Sequence, residues 1–201
     1  MNIEKKPLLG ARVKLEPLDK SHLNRLSDAL RDGELWKIKE TDIPHPNELL
    51  DYLKKTEASF RQQKKIVFAI IDLESQKVVG CTGFYDIRMR HKKAIIGPTF
   101  IASSWQRTHV NTESKYLLLK HAFESWELNR IEFYSDVLNI RSRNAIRRLG
   151  AIEEGFLRQH RLMKDGRVRD TVVHSIIRPQ WPRIERKLRH KIATYELPLS
   201  A

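Results

Sequence analysis

Ile96-Gly97-Pro98-Thr99-Phe100-Ile101-Ala102-Ser103-Ser104-Trp105-Gln106-Arg107-Thr108-His109-Val110-Asn111-Thr112-Glu113-Ser114-Lys115 is the stretch from which the rest of the chain is read. Its start is rich in β-branched and aromatic residues, its middle is polar, and Tyr116, Leu118, Leu119 and Phe123 beyond it give one apolar helix side. The spacing predicts a strand from Ala94 to about Ala102, a connection over residues 103–110 and a helix from Asn111 to about Trp126. A strand, a short loop and a helix start leave several backbone N–H groups unpaired at one place, with the positive end of the helix dipole behind them. Such a corner suits a pyrophosphate, and Arg107 adds charge for the same anion. The same residues also suit an ordinary strand-to-helix connection capped by Asn111, with Ser103 and Ser104 as plain turn residues.

Outward from this stretch, Arg12 to Leu18 alternates apolar and polar residues and reads as a half-buried strand. Asp19 or Ser21 can cap a helix through about Arg31, and Asn47 can cap a second helix that aligns Leu49, Leu50, Leu53 and Phe60. Residues 66–73 and 77–85 read as a hairpin around Glu74-Ser75-Gln76. Residues 130–137 read as a strand, 139–149 as a short helix closed by Gly150, and 151–163 and 169–177 as two strands around Lys164-Asp165-Gly166. Trp181-Pro182 opens a last helix with Ile184, Leu188 and Ile192 on one face and Arg183, Arg186, Lys187, Arg189 and Lys191 on the others. That helix reads either as a solvated appendage packed on the domain or as a surface that binds an anion or partner. Strand and helix alternate only in the middle of the chain. The expected fold is therefore a mixed α/β arrangement, a seven-stranded and mostly antiparallel sheet flanked by helices.

The bulk properties set limits. A chain of 201 residues with 40% hydrophobic and 31% charged residues is long enough for one globular domain. No apolar run is long enough to span a membrane, and the polar Met1–Lys6 has no secretory apolar core. The single Cys81 cannot form an internal disulfide, so a reducing cytoplasm is expected. There is no phosphate-binding GxxxxGK[ST], no GxGxxG, no HExxH, no GxSxG and no Cys/His set with zinc spacing, so no metal is expected. The net charge of +13 attracts polyanions: nucleic acid, a ribosome, an anionic membrane surface or a phosphate-rich cofactor.

The opening stretch resembles the cofactor motif of the GNAT acetyltransferase superfamily. Asn139-Ile140-Arg141-Ser142-Arg143-Asn144-Ala145-Ile146-Arg147-Arg148-Leu149-Gly150-Ala151 is similar to the NxxSxxxxxxLGF block of its RimJ/RimL-like branch. Leu9-Gly10-Ala11-Arg12 and Gly166-Arg167-Val168-Arg169-Asp170 fit that branch as well. The resemblance covers roughly residues 8–178, leaving 179–201 as a basic amphipathic helix and tail. It implies acetyl-coenzyme A as cofactor and direct attack of a primary amine on its thioester. The acceptor would be a protein N-terminal α-amine, as of a ribosomal protein, or a small amine.

The resemblance also implies roles. Gln106, Arg107, Thr108, His109, Val110, Asn111 and Thr112 would hold the pyrophosphate, and the backbone of Phe100 and Ile101 would pair with the pantetheine arm and steady the thioester oxygen. Asn139 would bond the pantetheine arm and Ser142 would protonate the departing thiolate, although both also read as helix caps. Where the family loop carries small residues, this chain has His109 and Asn111, types that tolerate a positive φ. At the position where some relatives carry a carboxylate base stands Arg161, which accepts no proton. His160 beside it has a suitable ordinary pKa, and Glu153, Glu154 and His174 are other candidates. A second reading is a basic RNA- or ribosome-binding module with this fold and little catalysis. Monomer and homodimer are both open, as is a larger acyl group.

Overall fold

The computed structural model describes residues 3–195. Leu8–Leu9 (β1) and Val13–Pro17 (β2) open a sheet that continues through Lys65–Asp72 (β3), Val78–Arg88 (β4), Lys93–Ile96 (β5), Phe100–Ile101 (β6), Arg130–Asp136 (β7), Ile152–Leu162 (β8) and Val168–Ile177 (β9). The helices are Leu23–Arg31 (α1), Leu49–Arg61 (α2), His109–Lys120 (α3), Ile140–Leu149 (α4) and Trp181–Thr194 (α5). The expected mixed, mostly antiparallel sheet is what forms. Among the described residues it has nine strands rather than seven, in the order β1-β2-β3-β4-β5-β7-β9-β8, with β6 paired to β4.

Two causes account for the extra strands. A two-residue β1 pairs with β2 ahead of the anticipated start. The single strand expected over residues 94–102 is split at Gly97-Pro98. Pairing moves from Phe84↔Ile96 to Cys81↔Phe100, so one strand advances four residues while the other advances three. The extra residue is a bulge; proline has no N–H to give the ladder, and Gly97 sits at a φ of 144° that side chains rarely adopt.

The opening in the sheet follows from this break. β5 and β7 are parallel and pair only at Lys93↔Arg130, Ala94↔Ile131 and Ile95↔Glu132. Beyond Ile95 the two sides part, and Phe100–Ile101 and Phe133–Asp136 face each other across a gap.

Each face of the sheet carries its own core. Leu26 and Leu30 of α1 and Leu53 of α2 pack on Val67, Ala69, Cys81 and Phe100. On the other face Leu118, Phe123 and Trp181 pack with Ile66, Phe68, Phe84 and Phe133. Burying an aromatic or leucine side chain of this kind contributes about 1.5–3 kcal/mol. β3 is covered on both faces and reads as a near-continuous apolar run, whereas β8 lies at the sheet's edge and is exposed along most of its length. α5 lays Trp181, Ile184, Leu188 and Ile192 into the core, with Trp181 stacked on Tyr116 and Phe123 and Tyr195 beside His109. It therefore runs antiparallel to α3.

Helix starts depart from expectation where caps compete. α3 begins at His109, not Asn111, because the Thr108 hydroxyl accepts from the Val110 N–H at 3.3 Å. It ends at Lys120 and passes into a π-turn over His121–Ser125. Before α2, the His45 ring nitrogen accepts from the Asn47 N–H at 3.2 Å, so His45 rather than Asn47 caps that start. Gly150 closes α4 at a φ of 104°, as the sequence suggested. Gly80 is required by proximity, since a Cβ there would lie 2.2 Å from the Phe100 carbonyl oxygen of the neighbouring β6.

Candidate active site

The gap between β6 and β7 opens into a cleft of about 1410 Å³. One wall is the broken strand from Ile96 to Ile101, the other is Phe133 to Asp136 continued by Asn139, Ser142 and Ala145 of the α4 region. At one end lies the start of α3, represented by Gln106, Arg107 and Asn111. At the other end the segment from Ile38 to Pro44, with Tyr52, faces Tyr85, Tyr134, Arg161 and Arg169.

Local backbone shapes the α3 end. Thr108 caps the helix and also donates its hydroxyl hydrogen to the Trp105 carbonyl at 2.8 Å, which fixes the turn. The amides of the first helical turn have no partner within the helix and carry the positive end of its dipole. Arg107, at a φ of 64°, is exposed at the rim. The positive φ thus falls on Arg107 and not on His109 or Asn111, both of which are helical. His109 needs no glycine-like backbone. Its buried ring turns out of the cleft, with Nε2 3.2 Å from Asp72 Oδ1 and the ring flanked by Trp105 and Tyr195. Burial pushes the Asp72 carboxyl up, but hydrogen bonds from Ser75 and His109 outweigh this and hold it below its ordinary value. Asn111 does line the cleft.

The other expected residues divide between wall and scaffold. Phe100, Ile101, Gln106, Arg107, Asn111, Asn139 and Ser142 are brought together on the cleft wall. Thr108 is the cap, and Val110 and Thr112 are buried in the body of the protein. Gln106 donates to the Ile101 carbonyl at 2.8 Å and accepts from Arg141, so it ties the loop to both walls. Asn139 caps α4, its Oδ1 accepting from the Ser142 N–H at 2.8 Å, while its Nδ2 reaches Thr41 at 3.4 Å. Of the arginines around α4, Arg143 and Arg147 pair with Glu153, whereas Arg148 lies on the cleft wall without an ion pair among the described residues.

His160 lies off the wall. Its Nδ1 is 3.1 Å from the Thr171 hydroxyl and its ring stands edge-on to Tyr134, while its neighbour Arg161 lines the cleft. Burial and the nearby Arg161 and Arg169 lower the His160 pKa. Glu153 is engaged by Arg143 and Arg147. Glu154 is engaged by Arg130 and Ser175, and its pKa is drawn down to about 2, mainly by Arg130.

Several cleft residues escaped the sequence reading: Tyr52, Tyr85, Tyr134, Asp136 and Lys115. The tyrosines come from strands and a helix far apart in the chain, so no local pattern joins them. Burial raises the Tyr85 and Tyr52 hydroxyls well above their usual value, and burial with Glu132 pushes Tyr134 to about 12. Asp136 receives Arg167 at 2.5 Å. Lys115 did carry a signal: it stands one helical turn after Asn111, on the same side of the helix.

The arrangement fits a long phosphate-bearing thioester. The helix start offers free amides, Arg107 and Arg148 offer cations, and the strand edge at Phe100–Ile101 faces the gap without a strand partner on that side among the described residues. Among the described residues no acidic, histidine or cysteine cluster is arranged to hold a metal. No helix described is long and apolar enough to cross a membrane.

The model of the acetyltransferase (GNAT) domain matches residues 12–152. The uncharacterized N-acetyltransferase YoaA of Bacillus subtilis (strain 168) is 27% identical over 123 residues, which span 61% of this chain and 68% of YoaA. The crystal structure of a GCN5-related N-acetyltransferase from Brucella melitensis matches with a TM-score of 0.87 at 27% identity, covering 99% of this chain and 90% of its own. RimL, a ribosomal L7/L12 α-N-protein acetyltransferase in complex with coenzyme A, shares the fold with a TM-score of 0.74 at 19% identity, covering 86% of this chain and 98% of its own. The chain belongs to the GNAT acetyltransferases, and acetyl-coenzyme A is its acetyl donor.

Proposed function

We propose that this N-acetyltransferase acts on protein N-terminal α-amines, in the manner that RimL's name describes for a ribosomal protein. The observation that carries the reading is Arg161 on the acceptor side of the cleft, at the position where some relatives have a carboxylate base. An arginine cannot take a proton there. A lysine side chain, with an ordinary pKa near 10.4, would need a strong base to become nucleophilic. An α-amine, with a pKa near 8, is partly neutral at physiological pH and needs far less help. The acceptor-side rim also carries Glu40 and Asp42, which form no ion pair among the described residues and attract a cationic chain end.

Acetyl-coenzyme A supplies an acetyl group already activated as a thioester. Arg107 and the amides at the start of α3 hold the diphosphate, and Arg148 adds charge nearby. The free edge of Phe100–Ile101 pairs with the pantetheine amides as an added strand would. Its Ile101 carbonyl is shared with the Gln106 side chain. Asn139 orients the arm beside α4. The Ser142 hydroxyl, on the cleft wall, gives its proton to the sulfur that departs. The catalytic unit spans residues 8–178, α5 buttresses it, and a cytoplasmic location suits its single buried Cys81.

Thioester cleavage with two peptide acceptors tests the acceptor assignment. One has a free N-terminus and no lysine; the other has a blocked N-terminus and an internal lysine. Acetylation of the first at a clearly higher kcat/KM supports the assignment. Preference for the lysine peptide would overturn it and leave the transferase intact.

A further inference from the structure

Lys115 is a buried lysine without a carboxylate. It is 6% exposed and forms part of the cleft floor. Its Nζ donates to the Thr82 hydroxyl at 2.9 Å and to the Thr99 hydroxyl at 2.5 Å, and those hydroxyls are 2.8 Å from each other. No acidic side chain of the described residues pairs with it. Two buried carboxylates, by contrast, have partners of opposite charge or strong donors: Glu132 has Lys93 and Arg130, and Asp72 has Ser75 and His109. An apolar side chain of similar size would fill the space without burying a cation. A structural role therefore gives no reason for a lysine here.

Its position gives one. Thr99 follows the Gly97-Pro98 break and immediately precedes the Phe100–Ile101 edge, at the point where the two halves of the sheet part. The thioester of the reading above would lie against that edge. Burial lowers the Lys115 pKa to about 7, so the amine is substantially neutral under physiological conditions. The Cys81 thiol is the titratable group that acts on it from the neighbouring β4. Burial pushes that thiol to about 12, so it stays uncharged, with the Tyr52 hydroxyl 3.9 Å from its sulfur and Lys65 also acting on it. A lysine in this state is suited to accept protons at neutral pH.

We propose that Lys115 and Thr99 form the proton-accepting pair of the acetyl transfer, with Lys115 acting through the Thr99 hydroxyl. This rests on the cleft being the acetyl-transfer site. The acceptor nitrogen forms its bond to the acetyl carbon, the carbon–sulfur bond breaks, and the electron pair leaves with sulfur, which takes a proton from Ser142, itself reprotonated by water. In the neutral amine Nζ has a lone pair that accepts from the Thr99 hydroxyl, so the proton shed by nitrogen passes to Thr99 Oγ1 as the Thr99 proton passes to Lys115 Nζ. The resulting ammonium returns its proton to solvent between turnovers. Lys115 is in this sense a positioning residue and proton store, and Thr99 is the group that meets the substrate.

The test compares kcat as a function of pH for the parent protein, K115M, T99V and T99S, using a peptide with a free α-amine. Desulfo-coenzyme A binding and thermal melts are measured on each. The expected result is a fall in kcat of about 100-fold or more in K115M and T99V, with desulfo-coenzyme A binding kept. The rise of kcat through about pH 7 is lost in K115M and kept in T99S, which restores the hydroxyl. Unchanged kcat in T99V, or the same rise in K115M, overturns the proposal. If K115M does not fold, T99V against T99S decides. Absence of thioester cleavage in the parent protein would instead refute the acetyl-transfer reading of the cleft.

Discussion

At the scale of the residue, Lys115 couples function to stability. Its folded pKa of about 7 lies below the ordinary 10.5. Below pH 7 both folded and unfolded chains bind the proton, and the folded state carries the full cost of a buried cation. Between about 7 and 10.5 the unfolded chain binds a proton that the folded one does not. Stability from this group therefore rises with pH across that window and is flat above it. K115M should be more stable than the parent at pH 6, with the difference shrinking as pH approaches 10, as measured by denaturant midpoints. Ser142 makes a contrasting case, since it lines the cleft while its amide is tied to Asn139. S142A should lower kcat by about 100-fold and leave desulfo-coenzyme A binding within the error of calorimetry; equal turnover would remove Ser142 from the chemistry. At this scale the sequence was only partly legible. That Gln106, Arg107 and Asn111 border one site followed from the strand-loop-helix pattern. That His109 turns away, toward Asp72, did not, because that contact joins residues 37 positions apart.

At the scale of the element, the strands and helices were legible wherever periodicity ran long, as in β3, β4, β9 and α5. They were less legible where a short side chain decides the boundary. Thr108 outcompeted Asn111 as a cap and His45 outcompeted Asn47, because a cap depends on side-chain reach to one amide and not on hydrophobic spacing. The break at Gly97-Pro98 was visible as composition, but its consequence, a strand that switches register and frees an edge, is a matter of pairing. α5 is the element whose sequence left its role open, and its apolar side joins the main core. W181A removes the side chain that stacks on Tyr116 and Phe123 and donates to Glu124 at 2.9 Å. It should cost about 3–5 kcal/mol, read as a lowered Tm with cofactor affinity retained in the folded fraction.

At the scale of the whole molecule, the order of motifs carried the topology, because a hairpin, a strand-loop-helix corner and a second hairpin allow few mixed sheets. The acceptor end was not readable in this way. Tyr52, Tyr85, Tyr134 and Arg161 meet there from a helix and three different strands, and nothing local in the sequence links them. Net charge acts at this scale too. With +13 overall, the protein should draw a polyphosphate ligand to the cleft by long-range attraction. The association rate for coenzyme A should fall steeply as salt rises from about 0.01 M to about 1 M, while the screening length drops from about 30 Å to about 3 Å. A rate indifferent to salt in stopped-flow mixing would mean that the charge serves some other partner.

The parted sheet as the seat of acetyl-coenzyme A is most directly tested by hydrogen exchange with and without desulfo-coenzyme A. Slowed exchange should concentrate in residues 99–101, 107–112 and 139–142, leaving β8 and the outer turns of α5 unchanged. Protection confined to β8 or α5, with the strand break and the start of α3 exchanging as before, would contradict it.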